Sequence, residues 1–377
     1  MTDEDVSEAY LGRLVDEAAL SGYLREHLGP AEDFEVTRHA QGHSNETLYV
    51  TWGDRDLVVR RPPPGETAET AHDVLREYRV TDALQDTDVP VPPTVLGCED
   101  ESVIGSDFYL MDRLDGVVAR GEEPDLFAGP DRRETVGREL VDTLAAIHGV
   151  DYEAVGLGEF GRPDGFTERQ VRRWTQQLMW AFDTTADERE VPALYEVMEW
   201  LEDNVPEDHP HALVHGDYKL DNVMFAPADA DGATGPTEGD DATGPTDAPP
   251  AVVGVFDWEM ATLGDPRTDL GWLLIFWREA DDPPPIAPEF VSRFMERRGY
   301  PTREQLVDRW EAATGLSFEH EQFYRTLATY KLAGLGEMFY ARHLQGNADD
   351  PLYPKMADQV PALAERALSI IDGDRPL

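Results

Sequence analysis

The sequence predicts an α+β chain in two parts, a small strand-rich lobe over residues 1–112 and a larger, mostly helical lobe over residues 113–377. Three observations carry this. Up to Asp112, short β-branched and aromatic runs are interrupted by only one internal helical pattern. Beyond Gly116, the apolar residues recur mostly at helical spacing. At 377 residues the chain exceeds what one simple core accommodates, and two lobes suit it.

Residues 9–28 place Leu11, Leu14, Val15, Ala18, Leu24 and Leu28 at helical spacing and read as one or two leading helices. Residues 34–61 turn strand-like around a loop at 41–46. Val58, Val59 and Arg60 form the next strand, and Pro62, Pro63 and Pro64 end it. Residues 70–84 read as a helix, with Thr70 and Asp73 at capping-box spacing. Pro90, Pro92 and Pro93 break the chain before two short strands at 94–98 and 108–111. Residues 136–148, 168–182 and 194–201 read as helices. Apolar strands at 212–214, 223–225 and 252–256 interrupt the helical pattern, which resumes at Leu270, Pro288, Arg303, Glu321 and Met356. Residues 226–250 differ: Ala, Asp, Gly, Pro and Thr dominate, and Ala-Thr-Gly-Pro-Thr occurs at both 233 and 242. Such a segment has little to pack onto a core and reads as a flexible insertion that extends a hairpin.

Acidic residues number 77 against 32 basic ones, a formal charge of −45, yet 41% of residues are hydrophobic, which argues for a folded chain. Lys219, Lys331 and Lys355 are the only lysines; arginine supplies the rest of the fixed positive charge. Acids spread along the whole chain with almost no lysine suit a cytoplasmic protein of a high-salt organism, where counterions screen self-repulsion. The same charge argues against nucleic acid as a partner. Cys98 is alone, so no internal disulfide forms, in keeping with a reducing compartment. Met1-Thr2-Asp3-Glu4-Asp5 lacks a signal pattern, and the apolar run 270–277 is far short of the roughly 20 residues that a membrane helix needs. The expectation is a soluble, cytoplasmic protein without a membrane partner.

The chemistry concentrates in His215-Gly216-Asp217-Tyr218-Lys219-Leu220-Asp221-Asn222 and in Phe256-Asp257-Trp258-Glu259, which begins 34 residues after Asn222. An aspartate and an asparagine stand five residues apart on a loop flanked by apolar strands, and a second aspartate ends another strand. Phosphoryl transfer from a nucleotide needs that set: one carboxylate to orient a hydroxyl and accept its proton, an amide and another carboxylate to hold Mg²⁺ against the phosphates. Lys219 is placed to neutralise the phosphoryl group in transit, and His215 reads as a hydrogen-bonded loop anchor.

These residues resemble the aminoglycoside phosphotransferase-like kinases, which share the protein-kinase fold. The chain is especially similar to the subgroup whose kinase-like domain is fused, in animals, to acyl-CoA dehydrogenases. The resemblance runs over residues 34–348, strongest at 213–225 and 253–270, with further matches at 57–65 and 108–112. It implies an antiparallel sheet in the small lobe, Asp217 as catalytic base, and Asn222 and Asp257 as metal ligands. It also implies ATP and Mg²⁺ as cofactors and the hydroxyl of a small molecule as acceptor, with a hydroxy acid or hydroxyacyl-CoA the subgroup's choice. An aminoglycoside or a choline-like alcohol is the rival acceptor, and a nucleotide-binding pseudokinase without turnover is the rival class.

The remaining candidates follow from position. Gln41-Gly42-His43-Ser44-Asn45 lies between strands where kinases cover the phosphates, so Gly42, Ser44 and Asn45 are expected there, backbone N–H groups approaching the anion. Arg60 stands where protein kinases carry a strand lysine, and Glu77 is its expected helix partner; arginine matches phosphate bidentately but differs in reach. Met111-Asp112-Arg113-Leu114 is the expected hinge, with backbone groups of Asp112 and Leu114 reading the adenine edge. Asp269 is expected to brace the catalytic loop. Arg172, Arg173, Trp174 and Trp180 are candidates for the acceptor pocket.

Overall fold

The computed structural model describes residues 10–39, 45–64, 73–207, 209–228, 248–346, 350–375 and 377. Two compact units emerge by contact: Met1–Gly116 with Val253–Ala261, and Val117–Val252 with Thr262–Leu377. The segment carrying Asp257 therefore groups with the first unit, whereas the sequence reading ran it with the helical lobe. Gly42 and Ser44, Thr70 and most of the 226–250 insertion lie outside the described residues.

In the first unit, Glu17–Leu28 (α1) is capped by the Asp16 side chain, which accepts from the Ala19 N–H at 3.0 Å. Phe34–His39 (β1), Glu46–Trp52 (β2) and Arg55–Arg61 (β3) form antiparallel hairpins, with Val36 opposite Val50 and Leu48 opposite Val59. The two-residue turn after Trp52 needs a positive φ, and Gly53 supplies it at 63°. Val74–Ala83 (α2) starts at Asp73, whose carboxylate caps Arg76 N–H at 2.9 Å. The expected capping pair is thus corrected: Asp73 is the cap itself, not its partner three residues on. Thr94–Cys98 (β4) and Phe108–Asp112 (β5) complete a five-stranded sheet in the order β1-β2-β3-β5-β4. Alternate side chains of β1 to β3, Leu14, Leu20 and Leu24 build its main core on one face. Val58, Val74, Leu75, Tyr109 and Met111 pack on the other.

The second unit begins with Val117–Val118 (β6), which pairs with Val223–Pro227, Val117 opposite Phe225. Its helices are Pro130–His148 (α3), Phe166–Thr185 (α4) and Pro192–Asp203 (α5), two of them opening on a proline whose missing N–H would have no intrahelical partner anyway. Ala212–Val214 (β7) and Val223–Pro227 (β8) follow, then Pro250–Val255 (β9), whose last three residues group with the first unit, and Thr262–Gly264 (β10), which pairs with β7. Arg267–Phe276 (α6), Arg303–Thr314 (α7), Glu321–Leu344 (α8) and Met356–Ile371 (α9) close the unit. No helix forms at Pro288. Prolines at 283, 284, 285 and 288 lack the N–H groups a helix needs, and Arg278 instead holds the segment through the Pro283 carbonyl and Glu296, both at 2.7 Å. Among the described residues no helix is long and apolar enough to cross a membrane.

Candidate active site

In the second unit, β7 delivers the chain to His215, and Gly216 turns it with φ 83°, a conformation that a side chain disfavours. The turn is fixed from α6: Asp269 accepts the His215 N–H at 2.7 Å and the Gly216 N–H at 2.8 Å. His148 lies 3.3 Å from the same carboxylate through Nε2, and Trp310 donates to its Nδ1 at 2.9 Å, which leaves Nε2 as the protonated nitrogen facing Asp269. Burial alone would push the Asp269 carboxyl up, but His148 and the backbone donors hold it below its ordinary value. The expected brace is present. His215 anchors the loop as expected of it, its Nδ1 accepting the Asp217 N–H at 3.2 Å.

Asp217 then projects a carboxylate held by three donors. Oδ1 accepts Trp272 Nε1–H at 2.8 Å; Oδ2 accepts Lys219 Nζ and Asn222 Nδ2, each at 2.9 Å. Burial raises its pKa, but the charges of Lys219 and Lys331 outweigh this and hold it below the ordinary aspartate value. An ionised carboxylate has about four acceptor positions, and among the described residues three are used, so one remains on Oδ1 for a hydroxyl. Asn222 Nδ2 also donates to the Asp217 carbonyl at 2.9 Å. Both bonds come from nitrogen, which leaves the amide oxygen as the end suited to a hard cation. Lys219 is shared with Asp221 at 3.3 Å.

Two groups that the sequence reading did not select complete this centre. Trp272, one turn beyond Asp269 on α6, supplies the indole bond to Asp217. Lys331 on α8 donates to the Gly216 carbonyl at 2.5 Å and stands over the Trp272 ring at 3.8 Å and the Trp174 ring at 5.7 Å. Its rarity was the available signal, one of three lysines in 377 residues. Of the four acceptor-pocket candidates, Trp174 is buried beneath Lys331, whereas Arg172, Arg173 and Trp180 are exposed on α4.

In the first unit, strand alternation sends Arg61 into the core, where it bonds the Leu14 and Ile104 carbonyls, and turns Arg60 to the opposite face. Arg60 reaches Glu77 at 3.4 Å, Thr47 Oγ1 at 2.8 Å and Asp257 at 3.9 Å. Although burial works against its charge, Glu77 and its other acidic neighbours keep the guanidinium pKa above its ordinary value. Burial and the nearby Asp257 raise the Glu77 carboxyl against the pull of Arg60. Asp257 takes a left-handed backbone, φ 66°, ahead of a single 3₁₀ turn at Trp258–Met260. Few non-glycine residues adopt that backbone, and aspartate is among those that do so most readily. Asn45 is 5% exposed, and among the described residues neither atom of its amide has a hydrogen-bond partner. Native interiors rarely leave both ends of an amide unpaired, and a ligand is one cause. The Asp112 carboxylate pairs with Arg55 at 2.7 Å and its N–H with the Pro93 carbonyl at 2.8 Å, so any hinge contact falls to remaining backbone groups near Asp112 and Leu114.

The chain is 32% identical to rat acyl-CoA dehydrogenase family member 11 over 364 residues, 94% of this chain and 43% of that protein. It thus spans less than half the length of that relative. A crystal structure from Ralstonia eutropha, provisionally named an aminoglycoside phosphotransferase, superimposes with TM-score 0.77 at 30% identity, covering 95% of this chain and 99% of the other. Choline kinase from Cryptosporidium parvum gives TM-score 0.62 at 9% identity, covering 95% and 97%, a likeness of fold alone. The fold is α+β and protein-kinase-like. The profile of the phosphotransferase enzyme family matches residues 35–235 and 246–306. The chain therefore belongs to the phosphotransferase enzyme family, whose members pass a phosphoryl group to a hydroxyl.

Proposed function

We propose that the protein transfers the γ-phosphoryl group of ATP to the hydroxyl of a small molecule, a hydroxy acid or its CoA thioester. The observation that carries the reading is the Asp217 carboxylate, kept ionised by Lys219 and Lys331 and oriented by Trp272 and Asn222, with one acceptor position left on Oδ1. The acceptor hydroxyl donates there while its oxygen attacks the γ-phosphorus. The bond from that phosphorus to the β–γ bridging oxygen breaks, ADP leaves, and the hydroxyl proton passes to Asp217. Arg60, the Asn45 amide and the loop at 42–44 are assigned to the triphosphate, backbone near Asp112 and Leu114 to adenine. Glu77 holds Arg60 in place.

Asn222 and Asp257 would hold Mg²⁺. Mg²⁺ takes one or two protein oxygens and completes its shell with phosphate and water, which these two side chains suit. When bound, the ion neutralises charge on the phosphate oxygens.

Two observations favour a hydroxy acid over a cationic alcohol. Homologues of this chain are named as acyl-CoA dehydrogenase family members. The aromatic faces near Asp217 already carry the Lys331 ammonium, so an aminoglycoside or choline cation would meet like charge there. The test is ADP release from Mg²⁺-ATP in molar KCl with hydroxy acids, hydroxyacyl-CoA thioesters, aminoglycosides and choline, with the phosphorylated product identified by ³¹P NMR. Turnover confined to the anionic acceptors is expected. Turnover of choline or kanamycin would overturn the acceptor class, and nucleotide binding without ADP from any acceptor would make the protein a pseudokinase.

A further inference from the structure

Lys331 lies 115 positions from the carbonyl it bonds, on a helix that contributes nothing else to the proposed chemistry. A lysine placed among apolar helices has to be matched by what it touches. Its ammonium bonds the Gly216 carbonyl, so it grips the turn that aims Asp217. Its charge rests on the Trp272 ring at 3.8 Å, and that ring's N–H holds Asp217 Oδ1. The Trp174 ring at 5.7 Å walls the other side. Lys331 therefore touches both the backbone before the base and the ring that orients the base.

We propose that Lys331 is a positioning residue for phosphoryl transfer, its ammonium locking the catalytic loop through Gly216 and Trp272 so that Asp217 faces the acceptor. This rests on the reading of Asp217 as the base. The groups facing Lys331 are Asp217 and Lys219 on the loop, Asp269 and Trp272 on α6, and Arg173 and Trp174 on α4. Burial lowers its pKa to about 8, with Asp217 and Asp269 opposing the fall and Lys219 and Arg173 adding to it. The lock is consequently charged below that pH and weakens above it. A basic limb in kcat near pH 8 follows, well below the range of an ordinary lysine.

The test has two arms. In the kinetic arm, Lys331→Met should lower kcat by roughly 10²-fold, the scale of a misplaced reacting group, with the KM for ATP little changed. Lys331→Arg, charged at every accessible pH, should recover part of kcat and lose the basic limb. In the second arm, this 377-residue chain carrying ¹³C-lysine has only three lysines to resolve. The Lys331 Cε signal should titrate near pH 8 in the wild type and at lower pH in Asp217→Asn, which removes an opposing negative charge. A titration unmoved by Asp217→Asn, or a kcat profile identical in wild type and Lys331→Arg, would overturn the proposal. Should no acceptor support turnover in the wild type, the transfer reading falls, and the positioning role falls with it. The NMR arm then still decides whether Lys331 and Asp217 are coupled.

Discussion

At the scale of single residues, the centre depends on a carboxylate made more acidic than usual inside a protein. Burial alone would raise the Asp217 carboxyl; Lys219 and Lys331 reverse the sign. The depressed pKa means the base stays ionised as pH falls through the ordinary aspartate range, so kcat should keep its plateau to a lower pH than an unperturbed aspartate permits. Asp217→Asn should cost roughly 10²-fold or more in kcat while ATP affinity hardly changes, because the base contacts the acceptor. Near wild-type turnover in that variant would end its assignment as base. Asn45 makes an opposite prediction. A buried polar group without a partner costs roughly 1–3 kcal/mol. The Asn45 amide has none among the described residues, so Asn45→Ala should leave the nucleotide-free protein at least as stable, yet weaken ATP binding. Calorimetry of both forms with and without Mg²⁺-ATP checks it; a destabilised protein that binds ATP normally would refute it. The closeness of Asp217 and Asn222 was legible because one short loop between strands carries both, and Asp257 stood out because it follows a separate apolar strand. Trp272 and Lys331 were not: they reach the loop across helix packing, which leaves no short-range spacing to read.

At the scale of elements, periodicity located most of the helices, and their ends were decided by chemistry that periodicity does not weigh. The helix expected from residue 136 begins at Pro130, since its first turn carries charged residues and no apolar stripe. The helix expected from Arg303 begins there, where Thr302 and Gln305 form a capping box. At Pro288 the apolar spacing misled, because a run of prolines overrides it. Packing against the brace is tight. On α6, two residues past Asp269, a Cβ added at Gly271 would lie 2.9 Å from the Tyr324 carbonyl oxygen of α8. That neighbour is backbone and cannot rotate away, so α6 and α8 must separate. Gly271→Ala should destabilise the protein by roughly 1–3 kcal/mol and lower kcat as well, because α6 carries Asp269 and Trp272 while α8 carries Lys331. Chemical denaturation and turnover, measured on the same preparation, test both parts; an unchanged midpoint would show that the helices yield freely.

At the scale of the whole molecule, a charge of −45 acts on every residue at once. The acids repel one another and would repel an ATP tetra-anion; under the proposed function Arg60, Lys219 and Mg²⁺ would attract it only at short range. We propose that this surface is an adaptation to high salt. The Debye length is about 10 Å at 0.1 M and about 3 Å at 1 M, so dilute buffer leaves both repulsions partly intact and molar salt removes most of them. Close pairs such as Arg60 with Glu77 at 3.4 Å, and Lys219 with Asp217 at 2.9 Å, lie at or near the shorter length and survive it. Raising KCl toward molar concentration should therefore raise the unfolding temperature and leave ATP affinity largely intact. Arg60→Ala under the same conditions should lose ATP affinity or turnover, because a phosphate contact at hydrogen-bond range is not screened away. A protein most stable in dilute buffer would refute the salt adaptation. An Arg60→Ala variant that binds and turns over ATP normally in molar KCl would remove Arg60 from the nucleotide site, since at that ionic strength long-range repulsion no longer obscures the loss of a single close cation.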